Sequence, residues 1–270
     1  RNKMENKNKM HALVKKEYLL PFILVTSLFF MWGFARAILD VLNKHFQEAL
    51  DISLAHSAMI QVMFYLGYFI MAIPAGLFIA RNGYRKGVVF GLLLFGIGSL
   101  LFIPGEYYMS FNFFLFSLFV IACGLVFLEI AANPYMTELG DKETAASRLN
   151  LAQSFNGLGC ACAPLLVGLI IFSDGEEANI SLPYLVMGVV VLLVALIFSR
   201  VHLPEIVHEE DEAETVVGEG KKSLWSHKLF VFGIVALFCY EIAEISINSF
   251  FINYVVDDGW MNALDAAKLL

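Results

Sequence analysis

Within GLVFLEIAANPY, residues 124–135, one carboxylate, Glu129, ends a long apolar run with no basic residue within a helical turn of it. An ionised carboxylate at mid-bilayer costs about 2.5–3.5 kcal/mol on insertion scales, so such a group usually faces a cavity or a bundle interior. Desolvation favours the neutral form of a carboxyl. Glu129 is therefore suited to carry a proton, charged when water reaches it and neutral while the protein rearranges. The alternative is a hydrogen bond to a neighbouring helix. Asp40 is the second acid of this kind, with Arg36 one turn earlier on the same helical face, where an ion pair can form. A guanidinium there would hold Asp40 ionised, which opposes proton shuttling. Glu241 and Glu244 are cavity candidates whose partners are expected in a part of the protein outside this chain.

Amides supply the other chemistry. Asn150, Gln153 and Asn156 recur at steps of three and share one helical face. Each amide can donate and accept hydrogen bonds, which fits a hydroxyl-rich ligand; helix-to-helix hydrogen bonding in lipid is the other use. Asn133 shares the face of Glu129, and Pro134 after it removes a backbone hydrogen bond and is expected to bend the helix. Gln61, Trp32 and Tyr65 are further candidates to line a cavity, with interfacial packing the alternative for the two aromatics.

The elements that must position these groups are membrane spans. The 270 residues are 59% hydrophobic and 16% charged, with a mean hydropathy of +0.71. Soluble domains run at about 45–50% apolar and about 25% charged, so the chain reads as an all-α integral membrane protein. Six apolar segments, 19–42, 57–80, 86–103, 111–136, 149–172 and 182–201, are each near the roughly 20 residues that a crossing helix needs. A seventh covers 228–256, and an eighth starts near 262 without room to finish. The chain opens on Arg1, and it reads as part of a longer protein. The expected organisation is a tail, 1–18; a six-span bundle, 19–201; an acidic linker, 202–227; and the start of a second bundle, 228–270. The first helix is expected to be uncleaved, because its apolar run is long for a signal peptide and Arg36 is unsuited to the small-residue cleavage pattern around it.

Basic residues orient the spans. Arg1, Lys3, Lys7, Lys9, Lys15, Lys16, Arg81, Arg85, Lys86, Lys142, Arg148, Arg200, Lys221, Lys222 and Lys228 collect on one side, against Lys44 on the other. The positive-inside rule then places the N-terminus and the linker in the cytoplasm. The seven acids between Glu205 and Glu219 read as a solvated linker. Cys123, Cys160, Cys162 and Cys239 fall in apolar spans and read as packing residues, with no disulfide framework or zinc site. No metal or other cofactor is expected. The six histidines read as lying outside the spans, which leaves proton transfer to carboxylates. Nothing basic and aromatic enough to bind nucleic acid appears. GEGKKS, 218–223, lacks the Ser/Thr of a phosphate loop, since Lys222 follows Lys221 where that residue belongs, and no motif of an intramembrane enzyme is present. Asn179-Ile180-Ser181 forms a glycosylation sequon on the outer side.

Between the second and third segments, GLFIARNGYRKG resembles the signature loop of the major facilitator superfamily, with Gly76, Arg81, Gly83, Arg85 and Lys86 in place and Ala80 where the family usually has Asp. Its glycines permit a tight turn and close helix approach, and its arginines meet helix C-terminal carbonyls or neighbouring acids. FFMWGFARAILDVLNKHFQ, FYLGYFIMAIPAG, LEIAANPY and RLNLAQSFNGLG together resemble the fucose:proton symporter family across nearly the whole chain. The resemblance implies a facilitator-type six-helix bundle, span seven and a truncated span eight. It also implies Glu129 and Asp40 as proton-linked acids and Gln153 with Asn156 as the sugar-facing pair. Arg36 departs from the uncharged polar residue of some relatives, and either pairs with Asp40 or hydrogen-bonds sugar hydroxyls.

The expected activity is import of L-fucose or a related hexose by proton symport and alternating access, without enzymatic activity. The alternatives are a sodium-coupled or uncoupled carrier and a membrane sugar sensor. The expected partners are the sugar, the proton and the lipid bilayer, in a cell membrane (the inner one if bacterial), with a monomer as the complete unit. The 270 residues alone are expected not to transport.

Overall fold

The computed structural model describes residues 13–171, 181–201 and 224–269, and among them there are helices and connecting turns but no strand. That outcome follows from the solvent. A backbone in hydrocarbon must satisfy its own N–H and C=O groups, and a helix does so within one segment. The tail 1–12, the sequon at Asn179 and linker residues 202–223 lie outside the described residues.

The helices are α1 (Leu19–Leu50), α2 (Leu54–Ser57), α3 (Met59–Asn82), α4 (Tyr84–Leu100), α5 (Phe102–Tyr107), α6 (Phe111–Glu138), α7 (Ala145–Ile171), α8 (Ser181–Arg200), α9 (Lys228–Asp257) and α10 (Ala263–Leu269). Among the described residues, six stretches are long and apolar enough to cross a membrane: Lys16–Gln47, Leu54–Asn82, Tyr84–Tyr107, Phe111–Glu138, Ser181–Arg200 and Lys228–Asp257. The expected fifth span, α7, is outside that set, but its 27 residues suffice for a crossing.

α1 exceeds its expected limit at residue 42 because no proline or glycine stops it. It ends at Asp51, which takes the left-handed conformation (φ 49°) and returns its N–H to the Gln47 carbonyl. The extension has a consequence: His45, expected outside the spans, is a buried residue of α1. Its electrostatic neighbour is Glu106, at the end of the bundle away from the basic loops, so it does not join the carboxylates of the interior.

α6 is the central helix. Residues 121–128 are buried on every side, the mark of a helix packed all round. α4 and α3 flank it, α8 packs on α4, and α7 runs along α1. Small residues permit the close approaches that association in lipid relies on. A Cβ on Gly124 of α6 would sit 2.5 Å from the Gly91 carbonyl oxygen and from the Phe95 amide nitrogen of α4. Backbone cannot yield there as a side chain can. Gly124→Ala is therefore expected to destabilise the bundle by about 1–3 kcal/mol, the scale of overpacking, read as a lower Tm in detergent; an unchanged Tm would refute this contact.

At the basic end, Gly83 (φ 87°) turns the chain between α3 and α4. Arg85 donates from Nε to the Phe198 carbonyl (3.3 Å) and from Nη2 to the Ser199 carbonyl, meeting the last turn of α8. A Cβ on Gly76 would meet open space, so the close approach expected of that glycine is not made among the described residues. Arg148, counted in the sequence only as a cytoplasmic charge, is fully buried near the start of α7. It donates to the carbonyls of Met136 (3.1 Å), Thr137 (2.6 Å), Asp141 (3.1 Å) and Leu13 (3.3 Å), and to Thr144 Oγ1 (2.6 Å).

α9 meets the bundle unevenly. Residues 232–240 are exposed, whereas Ser249, Ile252, Asn253 and Val255 are buried. α9 therefore leans on α1 at the end remote from the basic loops.

Candidate functional site

The charged side chains singled out by chemistry, Arg36, Asp40, Glu129, Glu241 and Glu244, gather in the space between α1, α3, α6 and α9, whereas the amides Asn150, Gln153 and Asn156 stand on α7. A cavity of about 460 Å³ there is bordered by Trp32, Arg36, Tyr65, Tyr68, Glu129 and Glu241. A smaller space of about 120 Å³ continues it past Arg36 to Asp40, Cys160 and Glu244. The combined hollow falls in the range of small-molecule sites, about 300–1,000 Å³. A larger groove of about 650 Å³ between α1, α7 and α8 is lined wholly by apolar side chains such as Phe34, Leu166 and Val186, and offers nothing to hold a hydroxyl group.

One wall is aromatic. Trp32 donates from Nε1 to the Tyr68 hydroxyl at 3.0 Å, and both border the cavity with Tyr65. Phe64, Tyr65 and Tyr68 form a cluster with ring centroids 5.4–6.2 Å apart. Such a wall offers flat apolar faces with polar tips.

Glu129 borders the cavity, and among the described residues its carboxyl forms no hydrogen bond or ion pair with another helix. One turn nearer the basic end, Asn133 donates from Nδ2 to the Glu129 carbonyl (3.1 Å) and accepts at Oδ1 from Gln153 Nε2 (3.3 Å). α6 continues through Pro134 to Glu138. Gln153 is exposed on the same side, while Asn156 donates from Nδ2 to the Phe29 carbonyl of α1 at 3.1 Å. The structure thus joins Glu129, Asn133 and Gln153, and it ties Asn156 to the α1–α7 contact.

Arg36 does not pair with Asp40. Its Nη2 lies 3.4 Å from Glu244 Oε1 and 3.8 Å from Glu241 Oε2, with the Tyr65 hydroxyl alongside. The cause is α9, which brings two carboxylates to the face of α1 that Arg36 occupies. The partners of Glu241 and Glu244, expected elsewhere, are therefore in this chain. Asp40 instead accepts at Oδ1 from Gln61 Nε2 (3.3 Å) and from Ser249 Oγ (3.3 Å). Four carboxyl groups, Asp40, Glu129, Glu241 and Glu244, border these two spaces together with one guanidinium, that of Arg36. Cys160 borders the inner space with its Sγ 3.4 Å from the Gly33 carbonyl oxygen, and the four described cysteines are free thiols.

The Major Facilitator Superfamily model matches residues 24–269. The chain is 38% identical over 250 residues to the glucose/galactose transporter of Brucella abortus (strain 9-941), covering 90% of this chain and 60% of that protein. It is 32% identical over 267 residues to the L-fucose-proton symporter of Escherichia coli (strain K12), with 90% and 61% covered. With that of Haemophilus influenzae it shares 37% over 225 residues, with 73% and 53% covered. The crystal structure of the Escherichia coli fucose:proton symporter matches with a TM-score of 0.66 at 32% identity, over 93% of this chain and 66% of that one. The chain thus spans about 53–61% of the length of these curated relatives. Membership across residues 24–269, with identities above 30% and a shared fold, makes this a multi-pass membrane protein of a transporter family rather than an enzyme family: the chain belongs to the major facilitator superfamily.

Proposed function

We propose that the protein carries a hexose together with a proton across a membrane by alternating access, with L-fucose the leading substrate and galactose or glucose the nearest competitors. The observation that carries this reading is the cavity itself, where an aromatic wall adjoins four carboxyl groups and one guanidinium. With all four acids ionised, four negative charges less one positive leave a net charge of −3 in a low-dielectric space. Binding protons balances that charge, and intramembrane acids so placed mark proton pathways. The wall of Trp32, Tyr65 and Tyr68 would take the apolar face of a sugar ring, while Asn133, Gln153 and Arg36 would hold its hydroxyls. Relatives named as an L-fucose-proton symporter and as a glucose/galactose transporter support a hexose of this class.

In this reading Glu129 and Asp40 are the coupling acids. The basic end carrying Arg81, Arg85, Lys142 and Arg200 faces the cytoplasm, as the positive-inside rule requires, and the membrane is the inner one of a bacterium. The proposed unit is a monomer of the full-length protein.

The test records external pH in lightly buffered, de-energised cells expressing the full-length protein. Adding L-fucose is expected to alkalinise the medium, with smaller traces for galactose and glucose. Sugar entry without a pH change would reject proton coupling and favour a sodium-coupled or uncoupled carrier; binding without entry would identify a sensor.

A further inference from the structure

Beyond Arg36, α1 and α9 run in the same direction away from the basic end and are joined by side-chain hydrogen bonds at nearly constant register. Asn43 Nδ2 donates to the Ser249 carbonyl at 2.7 Å, and Asn253 Nδ2 donates to Gln47 Oε1 at 2.6 Å. Gln47 Nε2 in turn reaches Asn43 Oδ1 and Ser57 Oγ, each at 3.0 Å. Lys44 Nζ pairs with Asp257 at 3.0 Å. These residues make a clasp between α9 and the six-helix bundle on the side remote from the cytoplasmic loops.

The innermost rung differs from the rest, because it contains Asp40. Gln61 Nε2 lies 2.7 Å from Ser249 Oγ, and both donate to the same oxygen of Asp40. Ser249 is buried, 1% exposed. One donor comes from α3, in the same bundle as Asp40, while the other comes from α9. The carboxyl can therefore have both partners only when α9 has closed on α1. Arg36 on α1, Tyr65 on α3, Cys160 on α7 and Glu244 on α9 also border Asp40; none of them bridges it to Ser249.

We propose that Ser249 and Gln61 are positioning residues for the Asp40 carboxyl, assembled only when the outer side shuts, so that closure of the bundles and proton exchange at Asp40 become one event. This rests on the proton-symport reading above. The outer clasp of Asn43, Gln47 and Asn253 holds α9 in place; the Ser249–Gln61 pair makes the coupling acid sense that it is there.

The test uses Ser249→Ala, which deletes the hydroxyl yet keeps the backbone carbonyl that Asn43 grips. Proton-driven net uptake by the full-length protein is expected to fall about tenfold, the effect of losing one hydrogen bond to a charged group. Exchange of labelled internal sugar for unlabelled external sugar needs no proton release, and is expected to stay within about twofold of the unsubstituted rate, a difference of under ~0.5 kcal/mol. Ser249→Thr, which restores the hydroxyl, is expected to restore net uptake. Asn253→Ala weakens the clasp without touching Asp40 and is expected to slow uptake and exchange together. Equal loss of both activities in Ser249→Ala, or loss of neither, would overturn the proposal while leaving proton symport standing. An unsubstituted protein that exchanges sugar but gives no pH trace would overturn both.

Discussion

Glu129→Gln is expected to abolish sugar-driven alkalinisation and accumulation against a gradient, lowering net uptake by about a hundredfold or more, the scale for removing a positioned proton-transfer group. The substitution is nearly isosteric, so it leaves the packing of α6 alone; the buried run 121–128 before it does not change. What it removes is the ability to exist in two charge states. A glutamine resembles the neutral glutamic acid, and the cavity would behave as though permanently protonated at this position. Exchange should therefore persist, since both directions of exchange use the loaded carrier. Arg36 and Glu241 border the same cavity, and their charges remain, so loss of sugar binding is not expected from electrostatics. Measuring net uptake, exchange and external pH on the same cells decides it. Retained alkalinisation in Glu129→Gln would return the carboxyl to a structural role and move coupling to Asp40 or to the acids of α9.

Glu129 was legible in the sequence because its signal is local: a charge in an apolar run needs a reason, whatever folds around it. The spans were legible likewise, since hydropathy acts residue by residue. Helix ends are less legible: hydropathy bounds the first span at residue 42, whereas the helix ends where backbone geometry changes, at Asp51. The extra turns carry Asn43, Lys44, His45 and Gln47, which include the side chains that join α9. Their partners lie more than 200 residues away, and no periodicity within one helix reveals a register between two. The pairing of Arg36 illustrates the same limit. The i,i+4 spacing offered Asp40 as a partner, but that rule describes an isolated helix. Two carboxylates delivered by α9 compete for the same guanidinium, and the geometry favours Glu244.

Arg148→Ala is expected to produce the largest loss of stability of any single substitution at the basic end. A buried guanidinium has five N–H donors in a fixed fork, and here they reach the carbonyls of Leu13, Met136, Thr137 and Asp141 together with Thr144 Oγ1. Met136 and Thr137 belong to the last turn of α6, whose carbonyls have no partner within the helix. Arg148 is therefore the C-terminal cap of the central helix, supplied from α7, and a positive charge is favourable there. It also holds the Leu13 carbonyl just before α1, beside the Lys15–Asp141 pair at 3.3 Å. Leaving a buried acceptor unmet costs about 1–3 kcal/mol, and breaking a buried charged network about 3–5 kcal/mol, a large part of the roughly 5–15 kcal/mol that holds a typical domain together. Lysine keeps the charge but offers one point donor in place of the fork, so Arg148→Lys should fall between the two. Gly140→Ala supplies an independent check from the opposite side, because its Cβ would lie 2.8 Å from Arg148 Nη1 and push the guanidinium out of place. Thermal unfolding in detergent should rank unsubstituted, Arg148→Lys and Arg148→Ala in descending Tm, with Gly140→Ala also lowered. An Arg148→Ala protein with full yield and unchanged Tm would show that α6 and α7 hold together without this arginine.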